Sequence, residues 1–487
     1  MKRLIFIIAI LFFSNAFAQN SKKVNSLLLE EVTIISPEKN DGYIGYILIN
    51  DNRIKKVSKK KPRIKEGTKI INLKGRYIIP GLIDNHVHLS GMNGLTDDDI
   101  KDNPEIVKAF KEQLPKSYLY FGYTTLIDLA TPNIKELEDF KKASIRPDLY
   151  HVGSGAVIGK GYGITNWSDT KPNFIYVDDN NQEIPNKYNP EDHSVKAVVS
   201  RIKESGAIGV KTYYEPGFDP NVARMPVPTT EIMIELYKES QSRDLVLMVH
   251  ANSIESHGFL AKHKIDVISH GLWRWGNIVL EQGNEVPKEI TNILDLEIKN
   301  KIAYTPTLQV INGLKAMAQA NYLENPELKK VLPSTVLDWY KINKDKMYKE
   351  IFGDAPKDII LNSFDRINSQ GKASLKYISR NGGVIVFGTD TPSSLTYGNP
   401  PGYNGYLEMK TMYKAGISLK EILKSATINN ARTFKLDSDY GTIENGKIAN
   451  LVVLKQNPLK SIKAYNNIEY VIVRGKVVKR EILSSKL

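Results

Sequence analysis

Two histidines set two residues apart, His86 and His88, close the apolar run Pro80-Gly81-Leu82-Ile83-Asp84-Asn85-His86-Val87-His88. On a strand, side chains i and i+2 point to the same side, so both imidazoles can face one ion. Such a pair suits zinc or a similar divalent metal. Other apolar runs end in the same kind of residue. His250 follows Leu245-Val246-Leu247-Met248-Val249, His270 follows Val267-Ile268-Ser269, and Asp390 follows Val384-Ile385-Val386-Phe387-Gly388-Thr389. One such histidine is ordinarily packing, but several at the ends of separate strands are hard to explain that way. Lys211 lies inside Ile208-Gly209-Val210-Lys211-Thr212-Tyr213-Tyr214. Burial disfavours its charged form, and a neutral amine can take up carbon dioxide as a carbamate able to bridge two ions. The alternative is a lysine that snorkels to solvent or pairs with a carboxylate. Tyr213 shares the inward face with Lys211 by period two, as a hydrogen-bond donor to substrate or as a packed ring. His151 and Trp273, near strand ends, are further candidates for substrate contact. His193, His257 and His263 fall in helix or loop context and read as solvated.

The elements that must carry these residues alternate. Gly81–Leu89, Thr124–Leu129, Asp148–Val152, Ile208–Tyr214, Leu245–His250, Val267–His270, Ala303–Thr307 and Val384–Asp390 read as short buried strands. Helical periodicity appears between them, in 106–120, 195–205, 229–243 and 254–263. Strands alternating with helices in this number predict a (β/α)₈ barrel of the TIM type, with its chemistry at the carboxyl ends of the strands. Long connections at 153–189, 307–381 and 391–404 follow strand ends, where lids and substrate contacts are found. Both chain ends read differently. Runs at 29–35, 43–49, 53–57 and 69–73, and again at 449–454, 468–473 and 476–478, are β-branched and punctuated by Asn, Asp, Gly and Pro. The predicted architecture is α/β, with a signal peptide at 1–18, a composite β-sandwich from 19–79 and 441–487, and a barrel from 80–440.

The chain has 487 residues, 41% hydrophobic and 25% charged, enough for a large core and ordinary globular packing. It has no cysteine and eight histidines. A disulfide scaffold, a thiolate metal site and a cysteine nucleophile are excluded, and any metal must be held by nitrogen and oxygen. Lys2 and Arg3, the apolar run 4–13 and Ala16-Phe17-Ala18 have the form of a secretory signal peptide cleaved before Gln19. The expected location is a bacterial periplasm or the exterior, with no stable membrane anchor after cleavage. The formal charge is +13, and the lysines of 55–61 read as a solvated hairpin edge that discourages edge pairing, not as a nucleic-acid surface. The expected partner is a small molecule or short peptide, and a homo-oligomer is compatible with the sequence.

Gly81-Leu82-Ile83-Asp84-x-His86-x-His88 resembles the amidohydrolase superfamily of metal-dependent hydrolases. So do Val249-His250-Ala251, Ile268-Ser269-His270-Gly271, Gly388-Thr389-Asp390, Ser425-Ala426-Thr427-x-Asn429-x-Ala431 and the closing run from Gly441 to Leu454. The resemblance covers about Leu28 to Val478, and is nearest to the imidazolonepropionase-like and Xaa-Pro dipeptidase-like branch. It implies two divalent ions, zinc foremost. His86 and His88 would hold the first, His250 and His270 the second, and a carbamylated Lys211 would bridge them. Asp390 would bind the first ion and shuttle the proton during cleavage of an amide C–N bond. A mononuclear variant needs only His86, His88, His250 and Asp390. The substrate is expected to be a peptide or dipeptide. The alternatives are a cyclic amide or lactam, a deaminase substrate, or a barrel that binds without turnover. The chain departs from the family in two loops: 159–163 has no histidine where relatives often carry Gly-Gly-His, and 397–404 has none after Asp390.

Overall fold

Alternation of apolar and polar residues at the amino end produces five strands: β1 (Ser26–Ile34), β2 (Tyr43–Asn50), β3 (Arg53–Ser58), β4 (Lys69–Asn72) and β5 (Tyr77–Pro80). This is a computed structural model that describes residues 25–129, 134–162, 173–176, 188–218, 222–280, 285–392 and 396–485. The expected signal peptide lies outside these residues. β2 and β3 form a hairpin in which Asn50 faces Arg53, and Asp51 takes the positive φ that so short a turn requires. The lysine-rich stretch begins on β3, the exposed edge of the sheet.

The chain then enters the barrel through β6 (Leu82–Val87), β7 (Tyr123–Asp128) and β8 (Asp148–His151), a parallel ladder. A short parallel pair, β9 (Val157–Ile158) and β10 (Phe174–Ile175), interrupts. A second parallel ladder follows: β11 (Gly209–Tyr213), β12 (Val246–His250), β13 (Val267–Ser269) and β14 (Ala303–Thr305). The ladders meet on one side where Ile208 N donates to His151 O at 2.9 Å. Closure on the other side departs from expectation. Residues 384–391 form no regular strand, only bridges. Val386 N donates to Tyr304 O (3.0 Å), Asn85 N to Phe387 O (3.0 Å) and Asp390 N to His86 O (2.7 Å). The irregularity has local causes. A Cβ at Gly388 would lie 2.5 Å from Asn85 Oδ1, and Asp390 turns the chain with φ 56°.

Helices join the strands and cover the barrel. Those at Val195–Glu204, Thr230–Ser242 and Ile254–Leu260 start where expected, each capped by the preceding Ser194, Thr229 or Ser253 side chain. Period two sorts the strand residues. Val246 and Met248 pack inside the barrel with Ile127, Val152, Val267 and Val386, while Leu247 and Val249 pack outward against the helices. His250 therefore continues the inward row, one step above the packed interior. No helix among the described residues is long and apolar enough to cross a membrane.

The carboxyl end returns to the first sheet as β15 (Leu451–Leu454), β16 (Ile468–Val473) and β17 (Lys476–Lys479), with β15 antiparallel to β5. Strands from both chain ends thus make one eight-stranded sheet. β15 is buried on both faces: Leu451 and Val453 enter the small domain's core, Val452 and Leu454 the barrel's. Asn450 joins the two units, donating to Asp148 Oδ2 (2.9 Å) and accepting from Arg474 N (2.7 Å).

Candidate active site

β6 carries His86, His88 follows directly past its end, and the closing stretch brings Asp390 between them. Asp390 Oδ1 lies 3.0 Å from His86 Nε2 and 2.9 Å from His88 Nε2. His270, just past β13, completes a group whose ligand atoms with His86 and Asp390 all lie within 4.8 Å of one another. Its ring is 4.9 Å from that of His86 and 4.7 Å from that of His250. Lys211 is fully buried on the same inward row. Its Nζ has no hydrogen-bond partner among the described residues, and neither does His86 Nδ1.

The electrostatics suit a cation. Burial pushes the Lys211 amine down to about 7 and the His86 imidazole to about 3, and lowers His250 and His270 as well. Neutral imidazoles are the form that ligates; burial would lower His88 as well, but its hydrogen bond to Asp390 and that carboxylate's charge raise it. Burial would raise Asp390, but His86 and His270 and the hydrogen bonds from His86 and His88 hold it well below the usual carboxylate range. The set of nitrogen donors, one carboxylate and one neutral amine fits a divalent-metal centre, and a buried amine without a partner is the feature hardest to explain otherwise.

Surrounding residues lock this geometry. Asp84, whose carboxyl burial pushes up to about 7, accepts from His86 N, Thr389 N (both 3.1 Å) and Thr389 Oγ1 (2.7 Å), tying β6 to the closing stretch. Asn430 bridges the same two segments. Its Nδ2 donates to Ile83 O and Phe387 O, each at 2.8 Å. His270 Nδ1 is 2.7 Å from Thr307 Oγ1, and Thr307 begins a helix, Leu308–Ala316, whose first amides donate to the buried Glu408. Burial pushes the Glu408 carboxyl up to about 8 against those two hydrogen bonds. Because the folded value exceeds the unfolded one, ~4.3, its contribution to stability is complete below about pH 4 and is lost as pH rises through 8. Glu408→Gln is therefore expected to flatten the decline in melting temperature between about pH 4 and 8, measured on chelator-treated protein.

The substrate candidates separate. Tyr213 belongs to the site, its ring 5.7 Å from His250 and 5.8 Å from Lys211 Nζ. Trp273 stands 5.2 Å from His270, with its indole N–H already donated to Pro306 O. His151 is not brought in. Its neighbours Tyr150 and Val152 pack against the barrel interior, so alternation turns His151 outward, where its Nδ1 accepts from Gly153 N. His151→Ala should leave kcat/KM at the wild-type level in steady-state assays. Two histidines expected in solvent are buried: His193 stacks on Phe174 at 3.6 Å, and His257 Nδ1 pairs with Glu297 at 2.7 Å. The loop without histidine does reach the site: Tyr162 stacks on His250 at 5.0 Å. The stretch 397–404 instead supports Asp390 from behind, Asn404 Nδ2 donating to Thr389 O at 3.0 Å.

Glu215 was not anticipated. It lies just past β11, is 1% exposed, and places Oε2 3.5 Å from His250 Nε2. The period-two series 211, 213, 215 was the available signal.

The Amidohydrolase family model matches residues 77–478. A dihydroorotase of Pyrococcus furiosus is 30% identical over 152 residues, 31% of this chain and 32% of that protein. An imidazolonepropionase of Picrophilus torridus is 32% identical over 98 residues, 20% of this chain and 22% of that one. The chain thus spans a third or less of the curated relatives it matches. Among solved structures, that of a Xaa-Pro dipeptidase with bound methionine in the active site matches with a TM-score of 0.64 and 19% identity, covering 93% of this chain and 100% of that chain. With the ordered motifs, the barrel and the sheet shared by both chain ends, the match over most of the sequence places the chain in the amidohydrolase family.

Proposed function

We propose that the protein is an exported, metal-dependent amidohydrolase that cleaves an amide bond in a peptide or dipeptide-like substrate. The observation that carries this reading is the fully buried Lys211 amine, with no hydrogen-bond partner among the described residues, on the inward row beneath a cluster of four imidazoles and Asp390. His86, His88 and Asp390 would hold one divalent ion, zinc foremost, and His250 and His270 a second, with carbamylated Lys211 between them. Such ions polarise a carbonyl and activate water near neutral pH.

The chain's own residues do the rest. Asp390 is ionised and has Oδ1 engaged by His86 and His88. Its carboxylate takes the proton from the attacking water and passes it to the leaving nitrogen, so the amine departs neutral. Tyr162, Tyr213 and Trp273 flank the imidazoles and limit the water that reaches the scissile bond. A cleft of about 480 Å³ is lined by Pro216, Gly217, Arg224, Glu255 and Arg274 among others, and by none of the proposed metal ligands. The name of the Xaa-Pro dipeptidase neighbour supports a dipeptide, and the amino-terminal residues support export.

The test is a metal assay on the protein recovered from the exporting cell, followed by a screen of dipeptides, N-acyl amino acids and cyclic amides. Expected are a chain that starts at Gln19, two ions per protomer and turnover of dipeptides. Cyclic-amide turnover alone would reassign the substrate. Metal without turnover of any amide would favour a binding protein, and a retained leader would overturn export.

A further inference from the structure

Glu215 has no part in the proton chemistry, yet it is built into the site from every side. Its Oε1 accepts from Gly217 N at 2.9 Å and lies 3.8 Å from Arg274 Nη1. Its Oε2 accepts from Asn252 Nδ2 at 3.1 Å and faces His250 Nε2 at 3.5 Å. The Asn252 amide is oriented independently: its Oδ1 takes Arg274 Nη1 at 3.5 Å, which leaves Nδ2 for the carboxylate. Asn252 Nδ2 is also 3.4 Å from His250 Nε2; an amide N–H can only donate, so of the two groups at that edge of the ring the carboxylate is the one able to accept a hydrogen from it.

An imidazole nitrogen facing a carboxylate carries the hydrogen, and the other nitrogen is then bare. We propose that Glu215 is a positioning residue for the second ion: it holds His250 with Nε2 protonated and so reserves Nδ1 as the ligating nitrogen. Outer partners of this kind fix the tautomer and ring orientation and raise the basicity of the ligand. The buried negative charge also offsets part of the charge that two cations bring to a dry site. Arg274 faces the other carboxylate oxygen, Oε1, and not the one turned toward the ring. This inference rests on the two-ion reading of the centre.

The test compares wild type, Glu215→Gln and Arg274→Met, each loaded with cobalt(II) and titrated against a chelator. In Glu215→Gln the first ion should bind as in wild type. The second should bind about 10–100-fold more weakly, with a changed visible absorption band, while the metal-free melting temperature stays near wild type. Arg274→Met should keep both affinities near wild type. Equal affinity and spectrum in wild type and Glu215→Gln overturn the proposal. So do equal losses in Glu215→Gln and Arg274→Met, which would make Glu215 a loop clasp. Wild type that binds fewer than two ions overturns the centre itself and this role with it. Nitrogen-15 NMR of histidine-labelled, metal-free wild type, with His250→Asn for assignment, reads the tautomer without relying on any Glu215 variant. An Nδ1-protonated His250 overturns the proposal.

Discussion

Asp390→Asn should lower kcat by about 10²–10⁴-fold while the protein keeps its fold and its first metal ion. Asparagine preserves the shape and retains an oxygen for the hydrogen bonds that Oδ1 now receives from His86 and His88. It also tolerates the left-handed backbone that Asp390 adopts at φ 56° better than most residues do. What it removes is the capacity to accept a proton. Steady-state kinetics with metal stoichiometry on the same sample check the point. Substantial remaining hydrolysis would end the shuttle role. Loss of metal together with activity would show that the carboxylate's charge, not its proton transfer, is what matters.

Lys211→Met should move stability and activity in opposite directions. The wild-type amine is buried with no hydrogen-bond partner among the described residues, and an unsatisfied buried polar group costs ~1–3 kcal/mol. Methionine fills a similar volume without that cost, so the chelator-treated variant should melt higher than chelator-treated wild type. It can form no carbamate, so it should hold fewer ions and lose most of its turnover. Paired melting curves and metal analyses decide. A variant that is less stable without metal would mean that the lysine has a structural partner. A variant with full activity would reject the bridging role. Mass spectrometry of the intact peptide around Lys211, under conditions that keep carbamates, should show the added carbon dioxide in wild type.

The sequence made some of this legible for a physical reason. A strand of period two leaves no choice about His86 and His88, and the same rule carries His250 upward from Val246 and Met248. It failed where the rule had nothing to fix its phase. His151 ends a strand in which either alternate row could have faced inward, and only the packing of Tyr150 and Val152 decides it. His257 is buried against Glu297, forty residues on, a pairing no local pattern announces. Glu215 was concealed by Pro216-Gly217, which marks the end of a strand and diverts attention from the last inward residue. The closing stretch 384–391 was placed correctly but not its shape, because Gly388 and the turn at Asp390 answer to the histidines beside them and not to strand propensity.

The interleaved sheet imposes an order of events on synthesis. β5 finds its antiparallel partner β15 only about 370 residues later, since Pro80 pairs with Leu451. At ribosomal rates of ~5–20 residues per second, β1 to β5 wait roughly 20–70 s with that side open. The barrel between them is free to form first and can serve as the surface on which the late strands condense, because β15 buries Val452 and Leu454 against it. Until then the newborn amino-terminal strands are a sticky, half-finished sheet. The export proposed above would add a further requirement, that these strands be kept from closing before translocation, which would make the first eighty residues a client for holding chaperones.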